Sequence, residues 1–201
     1  KILIDCGPDF RQQILKVPFA PLDAVLLTHE HYDHVGGLDD LRSYSRFGKV
    51  QVYAEDYVCD RIYTRIPYCF AEKRYEGVPR IEPGKNFTIG DITITPLRVI
   101  HGRLPILGYK LNDVAYITDM LYAPEETYNL LKGVRVLIIN ALREEKHISH
   151  QTLQEALVFS ERVKAKKTYL IHMSHDMGLH LEVEKKLPSS VFLAYDNLEL
   201  I

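Results

Sequence analysis

The chain has 201 residues, 46% hydrophobic and 26% charged, enough to bury a core and too apolar for a disordered or fibrous protein. Its 25 Lys and Arg stand against 27 Asp and Glu for a net charge of -2, with no basic run, which excludes broad electrostatic binding to nucleic acid or to a membrane surface. No apolar run approaches the roughly 18 residues of a membrane span and no basic-then-apolar leader opens the chain, so the expected setting is the cytoplasm and the expected partner is small.

In chain order, short apolar runs alternate with helical patterns, as in an α/β protein with a single domain over residues 1–201. KILIDCG is an apolar run closed by a turn signal, so the chain starts inside a sheet and further N-terminal strands are expected ahead of Lys1. DAVLLT (23–28) reads as a buried strand, GLDDLRSYSRF (37–47) as the helix that follows, and VQVYA as another strand. The stretch from 55 to 75 is rich in tyrosine and arginine without clean periodicity and reads as a helical or irregular insertion. Its Arg61, Arg65 and Arg74 suit a flap that pairs with phosphate oxygens. NFTIGDITITPLRVIHG predicts two strands about a Gly-Asp turn, and GYKL and VAYITD two more about Asn112 and Asp113. VRVLIINAL reads as a strand, and HQTLQEALVFSERVK as a helix with Leu153, Ala156, Leu157 and Ser160 on one face. KTYLIHMSH is a further strand and VFLAYDNLEL the last. A strand-rich half followed by an α/β half predicts two stacked sheets. Cys6, Cys59 and Cys69 are odd in number and form no CxxC pair, which suits thiols in a reducing compartment rather than a disulfide framework.

The stretch THEHYDHVGG places His29, His31, Asp33 and His34 beside two glycines. Imidazole nitrogen and carboxylate oxygen are borderline ligands that suit Zn, Mn or Fe, and a loop lets neighbouring residues turn toward one point. One catalytic metal takes about three protein ligands and keeps a position open, so this excess predicts two metals. Further ligands must then come from later strand ends. His101 in VIHG, Asp119 in YITD and His172 in LIHMSH each close a predicted strand. Asp5 and Asp196, beside turns, suit second partners that fix the tautomers of ligand histidines.

HEHYDH resembles the HxHxDH signature of the metallo-β-lactamase superfamily, and His101, Asp119 and His172 follow in the order of that superfamily's remaining ligands. The resemblance spans nearly the whole chain, from DCGPDFRQQ to AYDNLEL, and implies a four-layer αβ/βα sandwich. It implies one metal on His29, His31 and His101, a second on Asp33, His34 and His172, and Asp119 bridging both. HQTLQEA resembles the HxTxxEA segment of the phosphodiesterase branch, which includes ribonuclease Z and the phosphoribosyl cyclic phosphate phosphodiesterase, the latter the nearer match. Ribonuclease Z carries a long Gly/Pro-rich arm that grips tRNA, and no such segment is found in this sequence. The cyclic phosphodiesterase type implies a structural zinc held by a histidine three positions after the last ligand, where His175 stands, together with cysteines whose place lies before Lys1.

The function implied is a phosphodiesterase acting on a small nucleotide- or sugar-phosphate, cyclic among the options, through a hydroxide bridging two divalent ions, Zn or Mn, with Fe as a third choice. Asp33 and His150 belong to its catalytic machinery, His150 as general acid, with His147 a competing candidate by spacing alone. Partners expected are a small-molecule phosphoester and a second copy of the chain, with neither membrane nor nucleic acid. The same metal frame can serve a thioester, lactone or β-lactam hydrolase. A non-hydrolytic metal or redox protein is a third class; its flavin-linked di-iron form would carry glutamate where His31 stands.

Overall fold

The apolar runs become strands of two sheets in the computed structural model, which describes residues 1–48, 50–70 and 87–200. The chain divides into two compact units, Lys1–Lys85 and Asn86–Ile201.

The N-terminal unit is built on a three-stranded parallel sheet in the order β1-β2-β3, with β1 Ile2–Ile4, β2 Ala24–Leu26 and β3 Val52–Tyr53. Central β2 is buried along its whole length, which is why its sequence is continuously apolar rather than alternating. Helix α1 (Phe10–Ile14) follows β1, and a single helical turn, α2 (Tyr32–Val35), sits inside the histidine motif where the sequence predicts only loop. The predicted helix over 37–47 is a 3₁₀ helix, Leu38–Phe47. Its buried residues Leu38, Leu41 and Tyr44 recur every third position, the repeat of a 3₁₀ helix rather than the 3.6 of an α-helix. The insertion holds helix α3 (Asp56–Arg65), which buries Val58 and Ile62, and a 3₁₀ turn at Pro67–Phe70. The rest of the insertion, with Arg74, lies outside the described residues. Phe10, Val25, Leu27, Leu41, Tyr44 and Val58 form this unit's core.

The C-terminal unit carries a seven-stranded sheet in the order β10-β9-β8-β7-β6-β5-β4. Strands β4 (Phe87–Ile89), β5 (Ile92–His101), β6 (Leu104–Leu111) and β7 (Val114–Ile117) pair antiparallel, turning at Gly90, Gly102 and Asn112. β6 starts at Leu104, ahead of the predicted GYKL, because Pro105 pairs opposite Ile100. Strands β8 (Val136–Asn140), β9 (Lys167–Ile171) and β10 (Val191–Leu193) then add in parallel, with helix α4 (Glu125–Leu130) before β8 and helix α5 (Leu153–Val163) before β9. Helix α5 opens on a capping box between Thr152 and Glu155. It buries Ala156, Phe159, Ser160 and Val163, while predicted Leu153 and Leu157 are only partly buried. Ser160 is accommodated because its hydroxyl meets Thr168 Oγ1 at 2.6 Å. A short helix, α6 (His180–Glu184), precedes β10, which stops at Leu193 and leaves AYDNLEL outside the sheet.

Two antiparallel steps make β5 parallel to β7, so β5, β7 and β9 all end at one edge of the sheet. That edge receives His101, Asp119 and His172. In open α/β sheets the carboxyl ends of the strands are where ligands bind. Among the described residues, no helix is long and apolar enough to cross a membrane. Cys6 and Cys59 form no disulfide.

Candidate metal centre

The histidine motif leaves β2 through Leu27 and Thr28, and Gly7 and Gly37 let it lie directly against the turn after β1. A Cβ on Gly7 would stand 2.3 Å from the Asp33 carbonyl oxygen, and one on Gly37 2.2 Å from the Gly7 oxygen, so neither position tolerates a side chain. The Cys6 N–H donates to the His34 carbonyl at 2.7 Å, and the Gly37 N–H to the Cys6 carbonyl at 2.8 Å. Thus DCG and HEHYDHVGG, far apart in sequence, form one braced turn.

Within this unit the rings of His29 and His31 lie 4.5 Å apart, those of His29 and His34 4.2 Å, and His34 Nε2 is 3.3 Å from Asp33 Oδ2. Asp5 sits behind them. Its carboxylate accepts the Thr28 N–H at 2.8 Å, the Thr28 hydroxyl at 2.8 Å, and His34 Nδ1 at 2.7 Å. Because the Thr28 hydroxyl gives its one proton to Asp5, it accepts from His29 Nδ1–H at 2.9 Å. Burial pushes the Asp5 carboxyl above the usual carboxylate range, opposed by His34 and by both Thr28 bonds. Both histidines therefore carry their proton on Nδ1 and present Nε2 as the coordinating atom, the arrangement that orients metal ligands.

The C-terminal unit assembles a second set. His101 Nδ1 donates to the Ser149 carbonyl at 2.9 Å, again presenting Nε2. Asp119 is buried; its Oδ1 accepts the Thr118 hydroxyl at 2.6 Å and lies 3.1 Å from His172 Nε2, while its Oδ2 lies 3.6 Å from His150 Nε2. The His150 ring stacks on His172 at 5.1 Å and meets the edge of His101 at 4.6 Å. Asn140 and Gln151, both buried, brace the loop: the Asn140 amide exchanges bonds with the Met120 backbone, and Gln151 donates its N–H to the Met120 carbonyl and its Nε2 to the Asn140 carbonyl.

Three of these residues share a backbone device. Asp5, Asp119 and His172 follow β1, β7 and β9 with φ of 57°, 55° and 56°. The left-handed conformation turns the chain off the strand at once, and Asp and His are among the few non-glycine residues that adopt it.

The donor set fits divalent metal: imidazoles, with Nδ1 of His29, His34 and His101 bonded from behind, and two carboxylates are the ligands that Zn, Mn and Fe take. Among the described residues, His29, His31, Asp33, His34, His101, Asp119 and His172 are candidate metal-binding residues. His150 stands against Asp119 and His172, with His147 behind it, so geometry separates two histidines that spacing leaves equal. His175 is 95% exposed, beside Asp176 at 3.4 Å, and among the described residues no group of three ligand-type side chains includes it. Asp196 is exposed in the turn after β10. Arg65, exposed at the end of α3, donates from Nη1 to the Glu30 carbonyl at 2.9 Å, which ties the insertion to the histidine motif. Thr28, Ser149 and Asn140 are orienting residues that sequence reasoning missed; only Thr28 carried a signal, as the polar close of an apolar strand.

Asp5→Asn is expected to weaken metal binding by about 10- to 100-fold, because an amide has one oxygen for three donors. Competition with a chelator measures it, and an unchanged affinity would show that Asp5 does not orient His34.

The family described as "Beta-lactamase superfamily domain" matches residues 1–173. The chain is 47% identical over 207 residues to the octanoyltransferase of Porphyromonas gingivalis (strain ATCC BAA-308 / W83), covering 100% of this chain and 42% of that protein. It thus spans less than half the length of that relative. Among solved structures, a new diphosphatase from the PhnP family superposes with a TM-score of 0.92 at 35% identity, over 99% of this chain and 78% of that one. The short form of human tRNase Z superposes at 0.75 with 20% identity, over 98% and 86%, a likeness of fold.

Proposed function

Because the chain belongs to the beta-lactamase superfamily domain family and has the metallo-β-lactamase fold, we propose that it is a dinuclear metal-dependent phosphodiesterase acting on a small nucleotide- or sugar-phosphate, linear or cyclic. His29, His31 and His101 would hold one ion, Asp33, His34 and His172 the other, and Asp119 both, with Zn or Mn as the ions. Two such ions, about +4 against about -2 from the two carboxylates, would attract an anionic phosphate, neutralise its non-bridging oxygens and acidify water.

The chain's own residues do the rest. Asp5, Thr28 and the Ser149 carbonyl hold the ligand rings in one tautomer, so no reorientation accompanies binding. His150 carries the phosphodiester reading: its Nε2 faces the Asp119 carboxylate at 3.6 Å, where it would protonate a departing oxygen. An alkoxide is strongly basic and needs that proton; the thiolate released from a thioester needs it far less. A phosphoanhydride is the second reading, favoured by the 35% identical diphosphatase.

The metal-reconstituted protein is expected to turn over bis(p-nitrophenyl) phosphate and an alkyl phosphodiester and to leave a thioester and nitrocefin untouched. Hydrolysis of the thioester or of nitrocefin in preference would overturn the proposal. A diphosphate ester in the same assay decides the second reading.

A further inference from the structure

Resting on the reading of His150 as the proton donor, we propose that His147 is a positioning residue whose Nδ1 keeps the retained proton of His150 on Nδ1 and so leaves Nε2 as the atom that gives its proton away. The argument is one of hydrogen-bond direction. The Ser149 backbone N–H, which is always a donor, points at His147 Nδ1 at 3.3 Å. His147 Nδ1 is therefore an acceptor, and the neutral ring carries its proton on Nε2. Partial burial, then His150 and Arg143, lower the His147 pKa and favour that neutral ring.

His150 and Ser149 lie against that acceptor. Ser149 Oγ lies 3.2 Å from His147 Nδ1 and 3.0 Å from His150 Nδ1, and the two ring nitrogens are 3.1 Å apart. With His147 Nδ1 an acceptor, His150 Nδ1 at 3.1 Å from it stands as a donor, since two facing lone pairs would repel, and the Ser149 hydroxyl lies beside both rings. In the proposed step a water oxygen bonds to phosphorus as the P–O bond to the leaving group breaks and leaves its electron pair on that oxygen, which takes the Nε2 proton of His150; the Nδ1–H form remains without a ring flip.

The same serine serves the metal ligands. Its carbonyl accepts from His101 Nδ1 and from the Gly102 N–H at 3.2 Å, so one residue orients a ligand and the acid together. Arg143 steadies the loop from the other side, donating to the Lys146 carbonyl at 3.4 Å and pairing with Asp176 at 3.1 Å.

The test reads the tautomers directly. In the zinc-loaded full chain, long-range ¹H–¹⁵N correlation is expected to show neutral His147 protonated on Nε2 and His150 on Nδ1, each assigned by its loss in a variant. A His147 protonated on Nδ1 overturns the proposal. In kinetics, His147→Ala should lower kcat for an alkyl phosphodiester about 10- to 100-fold, with KM and metal content unchanged and little loss on bis(p-nitrophenyl) phosphate. His147→Asn, whose amide oxygen takes the acceptor place, should recover most of it. In a His150→Ala background the His147→Ala change should add nothing. Equal losses on both esters, no rescue by asparagine, or additivity would refute the positioning role. If His150→Ala itself shows no dependence on the leaving group, the acid reading fails, and the tautomers still decide this inference.

Discussion

Asp119→Ala is expected to empty both metal positions, taking the metal content by elemental analysis from about two per chain to well below one. In the proposed centre it is the one side chain shared by both ions. Its two oxygens already face different partners, Oδ1 toward His172 and Oδ2 toward His150. The loss would not come from unfolding. Alanine removes a buried carboxylate and leaves Thr118 to rotate its hydroxyl, while the left-handed backbone costs an alanine on the order of 1–2 kcal/mol. Circular dichroism and thermal unfolding of the metal-free protein should confirm a folded chain. One metal retained at full occupancy would sink the shared role of Asp119, and one tightly held metal in the unaltered protein would sink the dinuclear proposal.

His150→Ala is expected to keep both metals and lower kcat for an alkyl phosphodiester by about 10²- to 10⁴-fold, the range typical of a positioned general acid. The loss should shrink sharply for a p-nitrophenyl ester, whose leaving group departs without a proton. That split distinguishes proton donation from phosphate positioning, which would cost both substrates alike. Metal loss in the variant would make His150 a ligand, an outcome its 3.6 Å approach to Asp119 and its stacking on His172 make worth measuring first.

The candidate ligands were legible because their chemistry is carried by residue type, in a tight cluster or at the close of an apolar run. The strands were legible for the same reason of pattern: AVL is buried throughout, and VLII is continuously apolar ahead of Asn140. What stayed hidden was carried by backbone atoms or ordinary side chains. Nothing in the letters marks the Ser149 carbonyl as the partner of His101, nor Thr28 as the relay between Asp5 and His29. The run 37–47 looked helical because Leu38, Leu41 and Tyr44 span only two turns, over which periods of 3.0 and 3.6 part by about one residue. Helix α3 was obscured by exposed Tyr63 and half-buried Tyr57, so that Val58 and Ile62 alone marked its buried face.

The left-handed backbone at Asp5, Asp119 and His172 has a bearing on how the sequence can drift. Each position costs about 1 kcal/mol or more for a residue other than glycine, and β-branched side chains fit there worst. Glycine would relieve every one of them and coordinate or orient nothing. Substitutions that favour the fold alone thus run against the chemistry at three strand ends, and the accessible alternatives narrow to aspartate, asparagine, histidine and glycine. A lineage released from the need for metal should lose these residues to glycine or asparagine first, while the apolar strands beneath them stay unchanged.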